Sequence, residues 1–262
     1  MKDKTFTILS VLSLIVIVGI MSWHDMHPSV RSVDLKNPVL YTYLAGENIT
    51  PAMIPDDAFP VTVDLGAFSY TPAGQMAWAG RAMDPITLVQ RQTNLLFHFE
   101  GLPQAPDETL QKAAALIKSW EQKGSDPSVI FLDYRPKAPD LKAYVAFLKT
   151  FHARFSRSYS LATVIDASWL DDPQNPVFGE IESYAPNFLI ALEDARIEPA
   201  LLSKLEKFRH NFILCFPAGT FPADVDAAAF KNLVFLTNYS FTLDARKPWP
   251  KKTEKIGILP QF

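Results

Sequence analysis

One cysteine, Cys215, stands in a chain of 262 residues, so no internal disulfide framework holds this fold together. Glycine is scarce at 10 residues, while proline reaches 21, a balance that points to stiff, defined loops. No Gly-x-Gly-x-x-Gly follows any apolar run and no phosphate-binding Gly-Lys-Ser/Thr loop occurs, which excludes the common nucleotide-binding designs. The five histidines never take a His-Glu-x-x-His spacing, so neither a metal nor any other cofactor is expected. Gly-x-Ser-x-Gly is missing too, which disfavours a serine hydrolase. The net charge is -3 with no broad basic surface, and nucleic acid is therefore not an expected partner.

What the sequence does have is apolar content, 48% of residues with 20% charged, which suits a folded domain with a sizeable core. Its longest uncharged stretch runs over residues 5–23, rich in Ile, Val and Leu. At about 1.5 Å of rise per residue this nearly matches a hydrocarbon core of about 30 Å. The competing reading is a cleaved secretory signal, but the stretch ends Gly19-Ile20-Met21-Ser22-Trp23 without an Ala-x-Ala-like site. Lys2 and Lys4 precede it, and the first Arg after it is Arg31. The positive-inside rule then keeps residues 1–4 cytoplasmic and exports the rest. The expected organisation is a cytoplasmic tip (1–4), a transmembrane anchor (5–23), a stem (24–37) and one globular domain (38–262). Such a protein would sit in a bacterial inner membrane as a single-pass chain, with its C-terminal domain in the periplasm.

Within the domain, eight apolar, β-rich runs recur, at 39–44, 61–65, 94–100, 129–134, 160–166, 188–192, 212–216 and 233–238. Segments of helical periodicity separate several of them. Leu110, Ala113, Ala114, Ile117 and Trp120 mark one helix, which Asp107 is expected to cap and Gly124 to close. Leu141, Tyr144, Val145, Leu148 and Phe151 mark another behind Asp140, and 198–209 and 224–230 are read as two more. Fully apolar strands alternating with helices predict an α/β fold, a (β/α)₈ TIM-like barrel that is irregular in its first strands. The segment 69–93 stays ambiguous between hairpin and helix, and an open doubly wound sheet is the alternative.

Barrels of this kind build their sites at the C-terminal ends of the strands. Those positions carry Asp64, Glu100, Asp133 with Tyr134 and Arg135, Asp166 with Trp169, Glu193 with Asp194, and Tyr239 beside Asn238. Acids with aromatic walls suit a carbohydrate, since rings stack on sugar faces and carboxylates supply acid, base or nucleophile. Asp133, Glu100 and Glu193 are the catalytic candidates; Asp64, Tyr134, Arg135, Asp166, Trp169, Asp194 and Tyr239 are substrate-binding candidates. Against this stands the plainer reading that Asp and Glu after a strand cap a helix or satisfy loop amides. His98 shares a face with Glu100 and either lines the same cup or is a core residue among phenylalanines. Cys215, inside an apolar strand, reads as inert core.

The segment Ile130-Phe131-Leu132-Asp133-Tyr134-Arg135-Pro136, the helix with Leu141, Tyr144, Phe147 and Leu148, and Trp169-Leu170 together resemble an uncharacterised bacterial family of exported TIM-barrel-like proteins. That family is in turn distantly similar to glycoside hydrolases such as the family 18 chitinases. The resemblance implies a barrel with a sugar-related site around Asp133 and Trp169. It departs at Arg135, where the family pattern has a second acid. Two functions follow: a glycoside hydrolase acting on an envelope or extracellular polysaccharide, or an inactive barrel that binds glycan or serves as scaffold in polysaccharide synthesis or secretion. Expected partners are a polysaccharide or oligosaccharide, the membrane through the N-terminal helix, and envelope proteins. A more remote alternative is a pure interaction protein docking on a membrane partner.

Overall fold

The computed structural model describes residues 39–42, 60–80, 93–136, 139–194, 196–220, 224–225 and 227–243. The expected anchor at 5–23 and stem at 24–37 lie outside these residues. Among the described residues no helix is long and apolar enough to cross a membrane.

In chain order the elements are β1 (Val39–Thr42), β2 (Val61–Tyr70), β3 (Met76–Gly80), β4 (Thr93–Phe99), α1 (Pro106–Gln122), β5 (Val129–Asp133), α2 (Leu141–Phe155) and β6 (Ser160–Asp166). A 3₁₀ turn at Ala167–Asp171 follows, then α3 (Val177–Glu182), β7 (Asn187–Ala191), α4 (Pro199–Lys207), β8 (Phe212–Phe216), a second 3₁₀ turn at Ala227–Phe230, and β9 (Leu236–Leu243). Every neighbouring pair around the sheet is parallel except β2 and β3. β1 pairs with β9 on one side and β2 on the other, which closes eight parallel strands into a ring. A closed ring of parallel strands alternating with helices has the topology of a TIM-like barrel, and an open doubly wound sheet is excluded.

Side chains alternate across each strand, and the alternation sorts the core into two parts. Leu96, Phe131, Ala162, Val164, Leu189 and Cys215 point inward and fill the lumen. Leu95, Phe97, Ile130, Leu132, Leu161, Phe188, Phe212, Leu214 and Phe216 point outward and meet the helices. The strands are apolar on both faces because both faces are covered. α1 turns Leu110, Ala113, Ile117 and Trp120 onto this outer layer, and α2 turns Tyr144, Phe147, Leu148, Phe151 and Phe155. Each such aromatic or aliphatic side chain contributes about 1.5–3 kcal/mol when fully buried.

Three local readings need correction. Asp107 does not cap α1: the cap position is Ala105, with no side-chain bond, and Pro106 opens the helix with its preset φ. Asp140 does cap α2, accepting from the Ala143 amide at 3.0 Å, and Gly124, at φ +91°, closes α1. β2 does not stop at Asp64 but runs to Tyr70 through a bulge between Asp64 and Gly66. Beyond the bulge β2 stays paired with β4 and takes β3 as its other neighbour, which resolves the hairpin at the start of 69–93. Gly66 is required there: its φ is +136°, and a Cβ would meet the Ala79 carbonyl oxygen at 2.2 Å.

The eighth strand is displaced as well. Leu233 to Phe235 form a turn, and the strand is Leu236–Leu243. Tyr239, Phe241 and Leu243 are its outward face and pack in the outer core, while Asn238, Ser240 and Thr242 alternate with them. The polar half of that alternation masked the strand beside a more apolar neighbour.

Candidate functional site

The polar centre of the molecule sits where β4 and β5 end. His98, next to last in β4, and Asp133, last in β5, are register neighbours and so lie side by side on the same face of the sheet. Asp133 is completely buried. Arg135, two residues on, folds back over it in a two-point contact: Nε donates to Oδ1 at 2.6 Å and Nη2 donates to Oδ2 at 2.9 Å. His98 brings Nδ1 to 3.2 Å from Oδ2, an ion-pair distance at an oblique angle rather than an aligned hydrogen bond.

The strand is pinned from behind. Tyr144 of α2 donates its hydroxyl to the Leu132 carbonyl oxygen at 3.4 Å and also bonds the Thr163 hydroxyl of β6. Tyr134, pointing outward between Asp133 and Arg135, packs its ring against Tyr144 and Trp169 at centroid separations of 5.1 and 6.1 Å. The backbone that presents Asp133 is thus held by a buried aromatic cluster, and the lumen side is left to charge.

The electrostatics follow from that geometry. Burial alone would push the Asp133 carboxyl up; contact with His98 and the Arg135 guanidinium outweigh it and hold the carboxyl below its ordinary range. His98 is shifted the opposite way, since the Asp133 carboxylate beside it raises its pKa against the effects of burial and of Arg135. Asp64 of β2 also favours the charged ring. Cys215 of β8 feels both Arg135 and Asp133 across the lumen, but burial pushes its thiol up to about 11, which keeps it protonated and unreactive.

Asp64, His98, Asp133 and Arg135 are therefore brought together. Asp64 is buried and lies one layer deeper than a strand end, opposite Leu96 in the register, with Oδ1 accepting from the Gly66 amide at 2.9 Å. It braces the bulge as well as adding charge to the lumen. Glu100 and Glu193 are exposed, and neither is among the groups that act on Asp133. Asp194 is an exposed turn residue accepting from the Arg196 amide at 3.2 Å. Asp166, at the end of β6, accepts from the Ser168 amide at 2.8 Å and starts the 3₁₀ turn.

The aromatic candidates are placed in walls rather than on an open platform. Trp169 is buried, with Nε1 donating to the Pro136 carbonyl oxygen at 3.4 Å. Tyr239 is inside β9 rather than after it, buried against Phe216 and Phe230. His98 is the member of the cluster that sequence reasoning left between cup and core; its shared face with Glu100 was the signal, and the Phe residues flanking it were the distraction. Among the described residues no group of three or more His, Cys, Asp or Glu is placed to hold a metal ion.

No protein-family model matches the chain, and no curated protein matches it. Among solved structures it is similar to the endo-β-N-acetylglucosaminidase of Cordyceps militaris, with a TM-score of 0.46 at 13% identity, over 79% of this chain and 81% of that one. A doubly substituted form of the same enzyme, in complex with fucosyl-N-acetylglucosamine-Asn, gives the same values. The spore cortex-lytic enzyme SleL of Bacillus megaterium QM B1551 follows with a TM-score of 0.41 at 11% identity, over 70% of this chain and 51% of that one. These are likenesses of fold to glycoside hydrolases and carry no residue roles across.

Proposed function

We propose that this chain is a membrane-anchored barrel that binds an envelope or extracellular polysaccharide at its mouth without hydrolysing it. The observation that carries the reading is the state of Asp133. Both of its oxygens are engaged by Arg135, and His98 lies against one of them. A carboxyl held ionised in this way is a poor proton donor, and glycoside hydrolysis by paired carboxylates needs one acid that stays protonated. Glu100 and Glu193, the other catalytic candidates, are exposed side chains.

What supports binding is the remaining chemistry of the strand ends: hydrogen-bonding groups fixed by their contacts with Asp133 on a barrel scaffold. The run at 5–23 supplies the anchor in this reading, and a stem of about fourteen residues keeps the domain near the bilayer, where a polymer emerges. The test is to incubate the full chain, in detergent, with a panel of bacterial polysaccharides and to follow both retention on the immobilised polymer and new reducing ends. Retention without new ends is expected. Reducing ends that appear with the unmodified chain and vanish with Asp133→Asn would sink the reading in favour of a hydrolase.

A further inference from the structure

Four charged groups among the described residues, on β2, β4, β5 and just after it, are layered by sign. The two carboxylates form the floor, Asp133 at 0% and Asp64 at 1% exposure. The two nitrogen-bearing side chains form the top, His98 at 22% and Arg135 at 24%. In His98 the Nδ1 atom is buried against Asp133, so what the side chain exposes lies away from that atom. A ligand reaching these four groups therefore meets N–H groups first, with the carboxylates of Asp133 and Asp64 beneath them.

We infer that the mouth selects glycans bearing an anionic substituent, a sugar carboxylate or a phosphate, which the exposed edges of His98 and Arg135 receive. The inference rests on the glycan-binding reading above and narrows its ligand. Arg135 is oriented for this by its two bonds to Asp133, which fix the plane of the guanidinium, and His98 by its contact with the same carboxylate. The buried floor keeps the positive groups in place while its own carboxylates stay covered. Neutral hexose polymers would have hydroxyls to offer to the same donors, but hydrogen bonds to a charged partner are roughly twice as strong as neutral ones.

The facing groups also fix the pH behaviour. Asp133 and Arg135 act on His98 from β5 and the residues after it, and Asp64 acts on it from β2; Cys215, across the lumen, stays a neutral thiol. Affinity for an anionic polymer then falls as pH rises and the ring loses its proton.

The experiment measures binding of the full chain to three soluble polymers: polygalacturonate, a phosphomannan and dextran. The expected result is affinity at least about tenfold higher for one or both anionic polymers than for dextran, declining with pH, the size of one charge-assisted contact. Which of the two binds identifies the anion as carboxylate or phosphate. His98→Gln, which retains a donor but no charge, is expected to lose the pH dependence. Equal affinity for dextran overturns this inference while leaving the glycan-binding reading intact, and binding to none of a wide polysaccharide panel overturns both. The polymer comparison uses the unmodified chain, so it stands even where the variant misfolds.

Discussion

Two histidine–carboxylate contacts occupy opposite kinds of place in this barrel. At the mouth, His98 meets a carboxylate with no exposure that also carries an arginine. Outside the ring, His210, just before β8, meets Glu182 of α3 at 2.8 Å, and that carboxylate is 36% exposed. His210 is further surrounded by Phe178, Phe188 and Phe208 at centroid distances of 6.2, 5.6 and 5.1 Å. The outer pair is a polar tip on an aromatic cluster, cheap to form and cheap to lose. The mouth pair removes a full charge from water, a cost that folding alone gives no reason to bear when an apolar lumen would pack as well. The difference separates a contact that packing explains from one that packing does not.

That comparison breaks most visibly if the arginine is removed. Arg135→Leu takes the two-point partner from a fully buried carboxylate and leaves His98 against one of its oxygens, and chemical denaturation is expected to show a loss of about 3–5 kcal/mol. Adding Asp133→Leu to the same chain is expected to restore most of that loss, because the cost lies in the carboxylate left buried. If the double variant is as unstable as the single one, the ion pair is a true stabiliser and the contrast with the outer pair collapses.

A smaller effect is expected from pH. His98 is raised above its ordinary 6.5, so its contribution to stability is fully present below about 6.5 and is lost as pH rises through the folded value. Asp133 is depressed, so its contribution is present above about 3.9 and is lost only as pH falls through its lower folded value. Unfolding midpoints should therefore decline on the alkaline side of about 6.5, and His98→Gln should flatten that limb. A limb that survives in the variant assigns it to another group.

Outside the mouth the effects shrink. His210→Gln keeps most of the ring's volume and is expected to cost at most about 1 kcal/mol, as partly exposed ion pairs do. Lys204→Ala, which removes the exposed contact to Asp171, is expected to change stability by about 0.5 kcal/mol or less. A His210 variant as damaging as Arg135→Leu would place the two contacts in one class.

Most of the ring was legible in the residues. Seven of the eight expected runs coincide with barrel strands because a strand buried on both faces is uniformly apolar, and composition alone marks it. The eighth was displaced for the complementary reason: Leu233-Val234-Phe235 is more apolar than the strand that begins at Leu236, whose Asn238, Ser240 and Thr242 alternate with its outward face. β2 was cut short because an acid at Asp64 looks like a strand end, whereas a bulge and Gly66 carry the chain past it. At the site, Asp133 and Arg135 were both named as candidates from their place after the fourth run. The place of His98 was not, since it depends on the register between β4 and β5, which no local pattern encodes. Nor could the residues reveal that Trp169 and Tyr134 face each other inside a wall.

The central claim is that Asp133 is a fixed anion in the floor of the mouth and not a proton donor. Carbon NMR of the Asp133 carboxyl in the folded chain, titrated from neutral pH downward, measures that directly. The account predicts a midpoint below the ordinary aspartate value of about 3.9, with the carboxyl ionised wherever the protein is folded and near neutrality. A midpoint near pH 6, in the range of a glycosidase general acid, would contradict it.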